Sequence, residues 1–95
     1  GGNALVGMRE LLEEMVAHNA SDLHLTAGLP PHYRIDGMVT GSKFDVLSGE
    51  VTRRLAYSIL NDEQKKRLEN EKDLDFSFCV QGVSRFRANV WVAWP

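Results

Sequence analysis

The sequence predicts an α+β domain: a mainly antiparallel sheet with helices packed on one face. Three observations predict it. Apolar residues near the start recur at helical spacing, several later segments alternate with period two, and two capped helical stretches separate the first strands from the last. The length of 95 residues suits one domain, 1–95, with a modest core.

The elements follow in order. Leu5, Met8, Leu12, Met15 and Val16 lie three and four apart, which predicts an amphipathic helix to about Ala17. Asn19 suits a left-handed helix end. Asp22 to Thr26 alternates polar and apolar, as a half-buried strand does. Gly28 and Pro30-Pro31 predict a turn, because proline cannot donate to a ladder. His32 to Asp36 alternates again. Asp36-Gly37 then signals a two-residue hairpin, with Met38-Val39-Thr40 as the returning strand.

Ser48 is a good helix cap, Glu50 suits the positive first turn, and Val51, Leu55 and Ile59 form an apolar row. Asn61 followed by Gln64 reads as a capping box opening a helix from Asp62 to about Lys72. Leu68 is its inward anchor, and Glu63 and Arg67 stand four apart in the favourable order. Leu74, Phe76, Phe78 and Val80 alternate with polar residues as a strand, and Gln81-Gly82 turns the chain. In the last strand Phe86, Ala88, Val90 and Val92 face inward, against Arg85, Arg87, Asn89 and Trp91.

Composition excludes several classes. The chain is 43% hydrophobic and 25% charged, too apolar for disorder, and its net charge of −2 argues against a nucleic-acid partner. Cys79 is the only cysteine, so neither an internal disulfide nor a cysteine-based zinc site can form. No apolar run approaches the roughly 20 residues of a membrane span. A soluble, cytosolic protein is expected.

The stretch "ASDLHLTAGLPPHYRIDG" holds Asp22, His24, Tyr33, Arg34 and Asp36, residue types found in hydrolase and metal sites. In a strand, Asp22, His24 and Thr26 share the face opposite Leu23 and Leu25. A metal needs three or four converging ligands, and His18 and His32 lie outside that strand, so no metal site is expected. Ser21 lacks any sign of an oxyanion hole. Cys79, between Phe78 and Val80, reads as a small apolar residue rather than a nucleophile. Gly41-Ser42-Lys43 is too short for a phosphate-binding loop of the GxxxxGK[ST] type, so the chain alone is not expected to be an ATPase.

"RFRANVW" is more informative. Alternation places Arg85 and Arg87 on one face, roughly 7 Å apart. Two guanidinium groups at that separation can grip phosphate or carboxylate. The plainer alternative is a solvated face balanced by Asp73 and Asp75 on a neighbouring strand. Trp91 on that face also invites a single-stranded nucleic-acid platform, which one aromatic and a negative net charge do not support.

"ASDLHLTAGLPPHYRIDG", "YSILNDEQKKRLE", "DLDFSF" and "GVSRFRANV", in that order, resemble the N-terminal domain of type IV pilus retraction ATPases, within the type II/type IV secretion ATPase family. The resemblance covers about residues 5 to 90, and departs from the family at the closing "VWVAWP", which leaves Trp91 and Trp94 expected to protrude.

The resemblance implies a PAS-like α+β domain, linked in the parent protein to a RecA-like ATPase domain that holds ATP and Mg2+. It implies a homohexameric ring with each N-terminal domain packed on a neighbouring subunit. That ring would act in twitching motility, at the pilus machinery on the cytoplasmic face of the inner membrane. Arg85 and Arg87 match the family's "RFRxN" strand and are the candidate ATP-phosphate contacts. Asp22, His24, Arg34 and Asp36 match its strand pair and are assigned to structure or subunit interfaces. This fragment is expected to have no cofactor and no catalysis of its own. The competing expectation is a stand-alone PAS-like sensor with a ligand pocket lined by Tyr33, Phe76, Phe78 and Phe86.

Overall fold

A computed structural model describes residues 7–80 and 84–92. The predicted Gln81-Gly82 turn, Leu5 and Trp94 lie outside them. Helix α1 spans Met8–Ala17 and strand β1 Asp22–Thr26; β2 (His32–Ile35) and β3 (Met38–Gly41) form the hairpin. Helices α2 (Gly49–Tyr57) and α3 (Asp62–Glu71) follow, then β4 (Asp73–Val80) and β5 (Ser84–Trp91). Among the described residues no helix is long and apolar enough to cross a membrane.

The local signals account for the element ends. Asn19 turns the chain out of α1 with φ 57°, and Asp36 and Gly37 take φ 52° and 80°, the left-handed pair of a tight two-residue hairpin. Ser48 Oγ accepts from the Val51 N–H at 3.1 Å. At α3 the capping box is complete: Asn61 Oδ1 accepts from the Gln64 N–H at 2.8 Å, and Gln64 Oε1 accepts from the Asn61 N–H at 3.0 Å. Lys72 ends α3 at φ 63° with its N–H on the Leu68 carbonyl, a left-handed position filled without glycine.

The phase of α1 differs from the sequence expectation. Met8, Leu11 and Met15 are buried, Leu12 is only partly so, and Val16 is 50% exposed. Leu11 sits between Met8 and Met15 at spacings of three and four, so the stripe centres on it. In α2 the buried residues are Thr52, Leu55 and Ala56, with Val51 and Ile59 at the edge of the core. Thr52 is tolerated inside because its hydroxyl donates to the Ser48 carbonyl at 2.8 Å. In α3 Arg67 pairs with Glu71 rather than Glu63.

The five strands form one sheet in the order β3-β2-β1-β5-β4. Every neighbouring pair is antiparallel except one: β1 and β5 run parallel, with Asp22 opposite Arg87 and Thr26 opposite Trp91. Parallel neighbours need a long crossover, here supplied by the hairpin, the two helices and β4. Leu23, Leu25, Tyr33, Leu74, Phe86, Ala88 and Val90 turn to the helical side and share one core with Leu11, Met15, Leu55 and Leu68. The fold is the predicted mixed α+β class, mostly antiparallel.

The expected aromatic ligand pocket is filled by its own members. Phe78 packs on Phe76 and Phe86 with ring centroids 5.9 and 5.7 Å apart. Tyr33 is buried elsewhere in the core, and its hydroxyl donates to Glu14 Oε1 at 3.3 Å.

Candidate functional site

The face of the sheet away from the core carries the chemistry. Because β1 pairs with β2 on one side and β5 on the other, its polar residues line up in rows across the strands. One row runs Val39, Arg34, Asp22, Arg87, Ser77; the next runs Gly41, His32, His24, Asn89, Asp75. Beyond these, Thr26 and Asp73 flank Trp91, and Arg85 sits opposite Cys79.

Between the first two rows lies an open groove of about 300 Å³, lined by Asp22, His24, Arg34, Arg87, Asn89 and Asp75, with Ala88 at its floor. Three of the four residues expected at interfaces therefore meet one of the two expected phosphate contacts. Asp36 does not join them; it occupies the exposed hairpin tip. Arg85, one step along β5, is exposed and outside the groove lining.

Within the groove the side chains are unequally engaged. Arg34 Nη1 donates to the Gly37 carbonyl at 3.0 Å, closing the hairpin. Asp22 Oδ1 accepts from Ser21 Oγ at 2.7 Å. The Asn89 amide donates to Asp75 at 2.7 Å and Asp73 at 3.3 Å, gathering the two carboxylates. His24 Nε2 is buried and has no hydrogen-bond partner among the described residues. Among those same residues, neither Arg85 nor Arg87 has an ion-pair partner.

That last point corrects one expectation. Asp73 and Asp75 do not balance the arginines, because the β4–β5 register sets them opposite Trp91 and Asn89, while Arg87 faces Ser77 and Arg85 faces Cys79. Cys79, expected as a small packed residue, is exposed for the same reason of parity. Trp91 protrudes as expected, at 47% exposure. Sequence reasoning missed the groove itself and the part Asn89 and Asp75 take in it. No local signal could have revealed it, since the parallel β1–β5 pairing joins residues more than 60 positions apart. Among the described residues no group of three or more histidine, cysteine or acidic side chains converges as a metal site.

No family model matches the chain. It is 46% identical over 82 residues to the type IV pilus retraction ATPase PilT of Pseudomonas aeruginosa, an alignment covering 86% of this chain and 24% of that protein. To the type IV pilus ATPase PilU of the same organism it is 32% identical over 82 residues, covering 86% and 22%. The crystal structure of the pilus retraction motor PilT with bound ADP matches with a TM-score of 0.72 and 40% identity, over 90% of this chain and 25% of that one. The chain thus spans about a quarter of the length of the relatives it matches.

Proposed function

The chain is homologous to the N-terminal region of the type IV pilus retraction ATPases, and from that premise we propose that it is the coupling domain of such a motor. In this reading the parent protein carries a separate RecA-like domain that binds ATP and Mg2+, and six subunits form a ring. The domain described here hydrolyses nothing itself. It moves relative to the ATPase domain as nucleotide binds and turns over, at the cytoplasmic side of the inner membrane, and so transmits the cycle to pilus retraction and twitching motility.

One observation carries the reading beyond homology. Arg85 and Arg87 stand exposed on one strand, two residues apart, with no ion-pair partner among the described residues. Two guanidiniums held by a rigid ladder fit a phosphate presented from outside, since planar bidentate donors match its geometry. Bound ATP would draw the domain in, and loss of the terminal phosphate would release it. Asp22, His24 and Arg34, in the groove beside Arg87, belong to the contact surface, and Asp36 to the hairpin tip.

The test compares ATP hydrolysis by the 95-residue chain, by the full-length motor, and by the motor with Arg87→Glu. The reading expects no turnover from the short chain and impaired turnover from the variant. Hydrolysis by the short chain alone would overturn it.

A further inference from the structure

Two outward helix faces on the covered side of the sheet match in spacing and differ in charge. On α1, Glu10, Glu13, Glu14 and Ala17 stand at i, i+3, i+4 and i+7, and with His18 and Lys43 they line an open groove of about 350 Å³. On α2, Glu50, Arg53, Arg54 and Tyr57 repeat the same spacing and line a second open surface. We propose that the α2 face of one copy of the chain docks antiparallel on the α1 groove of the next, head to tail. The two faces lie toward different edges of the sheet, so one copy can offer both at once. Glu14 ties α1 to Tyr33 on β2 and to Lys43 beyond β3, whereas α2 packs on β1 and β5 and is tied to α3 by the Arg53–Glu69 pair at 3.4 Å.

Laid antiparallel, the shared spacing brings the four positions together in pairs. Glu13 meets Arg54 and Glu14 meets Arg53. Glu10 meets the Tyr57 end of the partner helix, and Glu50 meets Ala17, where His18 and Lys43 close the groove. A parallel arrangement would set Glu10 against Glu50, like charge on like, so charge selects the antiparallel one. Packed helices lie about 8–10 Å apart, and the small side chain of Ala17 suits such an approach.

Charge complementarity names a second copy as the occupant. The groove sets three carboxylates against the single ammonium of Lys43, and the α2 face sets two guanidiniums against the single carboxylate of Glu50. The decisive pair is also the one least engaged within the chain. Arg54 is exposed and has no ion-pair partner among the described residues. Glu13 pairs with Arg9 at 3.5 Å, but these side chains are 67% and 90% exposed, and a surface pair of that kind contributes little. Glu14 and Arg53 are held from within by Lys43 and Glu69, which fixes where their remaining hydrogen-bonding capacity points. A head-to-tail contact is the kind that closes rings, and this one leaves the open sheet face with Arg87 free. It goes beyond the coupling reading and does not rest on it.

Sedimentation equilibrium of the 95-residue chain across a concentration series tests it. At low salt the average mass is expected to climb past that of two chains, and to return to the monomer at about 1 M salt, where the screening length is about 3 Å. Arg54→Glu and Glu13→Arg should each weaken association by about tenfold or more. Mixed in equal amounts, the two variants should associate again, because the intact α1 face of one fits the intact α2 face of the other. The double variant should associate by itself, and Arg54→Gln or Glu13→Gln serves where a reversal disturbs the circular-dichroism spectrum. A monomer at every concentration would overturn the proposal. So would a mass that stops at two chains, association indifferent to salt or to the reversals, or losses that neither mixing nor the double exchange restores. None of these outcomes touches the coupling reading, which is measured as turnover of the Arg87→Glu motor and engages the other face of the sheet.

Discussion

The Tyr33 hydroxyl reaches from β2 to α1 and donates to Glu14 Oε1 at 3.3 Å, while Glu14 Oε2 takes Lys43 Nζ at 3.0 Å. One carboxylate thereby ties the first helix, the central part of the sheet and the loop after the hairpin. Burial is the main cause holding the phenol protonated, and the adjacent Glu14 charge adds to it, so its ionisation lies well above the ordinary tyrosine value of 10.

Tyr33→Phe should therefore destabilise the domain by about 1 kcal/mol near neutral pH, the usual worth of one hydrogen bond. The pH dependence has a definite sign. The folded state keeps its proton longer than the unfolded chain, so the contribution is complete below pH 10 and declines as pH rises beyond it. Urea unfolding between pH 8 and 11 checks this: the wild type should lose stability above about pH 10 more steeply than the phenylalanine variant. Equal slopes would show that Tyr33 is not the group responsible.

The phase of α1 makes a second prediction. Leu11 is fully buried, whereas Leu12 is only partly so. Leu11→Ala should cost about 2–5 kcal/mol, and Leu12→Ala markedly less. Thermal denaturation of the two variants side by side decides between the stripe centred on Leu11 and the one read from spacing alone.

A third concerns the complete capping box of α3. The helix has one buried apolar residue, Leu68, so its start relies on the cap more than on packing. Asn61→Ala should cost about 1 kcal/mol, and Asn61→Asp or Asn61→Ser much less. Amide exchange across residues 62–71 should quicken in the alanine variant before the sheet is affected.

In the full-length motor, Arg87→Glu is expected to lower ATP turnover by about tenfold or more, in keeping with a lost phosphate contact. The melting temperature of the isolated domain should stay close to wild type, because the side chain is exposed and outside the core. Unchanged turnover and nucleotide affinity in an Arg85→Ala, Arg87→Ala motor would leave these residues as a solvated strand face.

Cys79 supplies a check on strand parity. Opposite Arg85 on the open face, it should react with a thiol reagent in the native state at close to the rate of the unfolded chain. Strong protection would place it on the core side and reverse the orientation of β4.

Local interactions are legible in a sequence because they join residues a few positions apart. The Asp36-Gly37 hairpin, the Asn61–Gln64 capping box, the Ser48 cap and the alternation of β1 and β5 are all of this kind, and they determined the elements, their faces and the α+β class. Helix phase was less legible: adjacent Leu11 and Leu12 fit a periodic stripe almost equally, and only packing against the sheet selects Leu11. Strand order beyond the hairpin was not legible. The parallel pairing of β1 with β5 depends on which arrangement buries the most apolar surface, a property of the whole chain. That single pairing sets Arg87 beside Asp22 and gathers His24 with Asn89, while the β4–β5 register separates the arginines from Asp73 and Asp75. The sequence alone thus determined which side chains face outward; the tertiary structure decided which of them are neighbours.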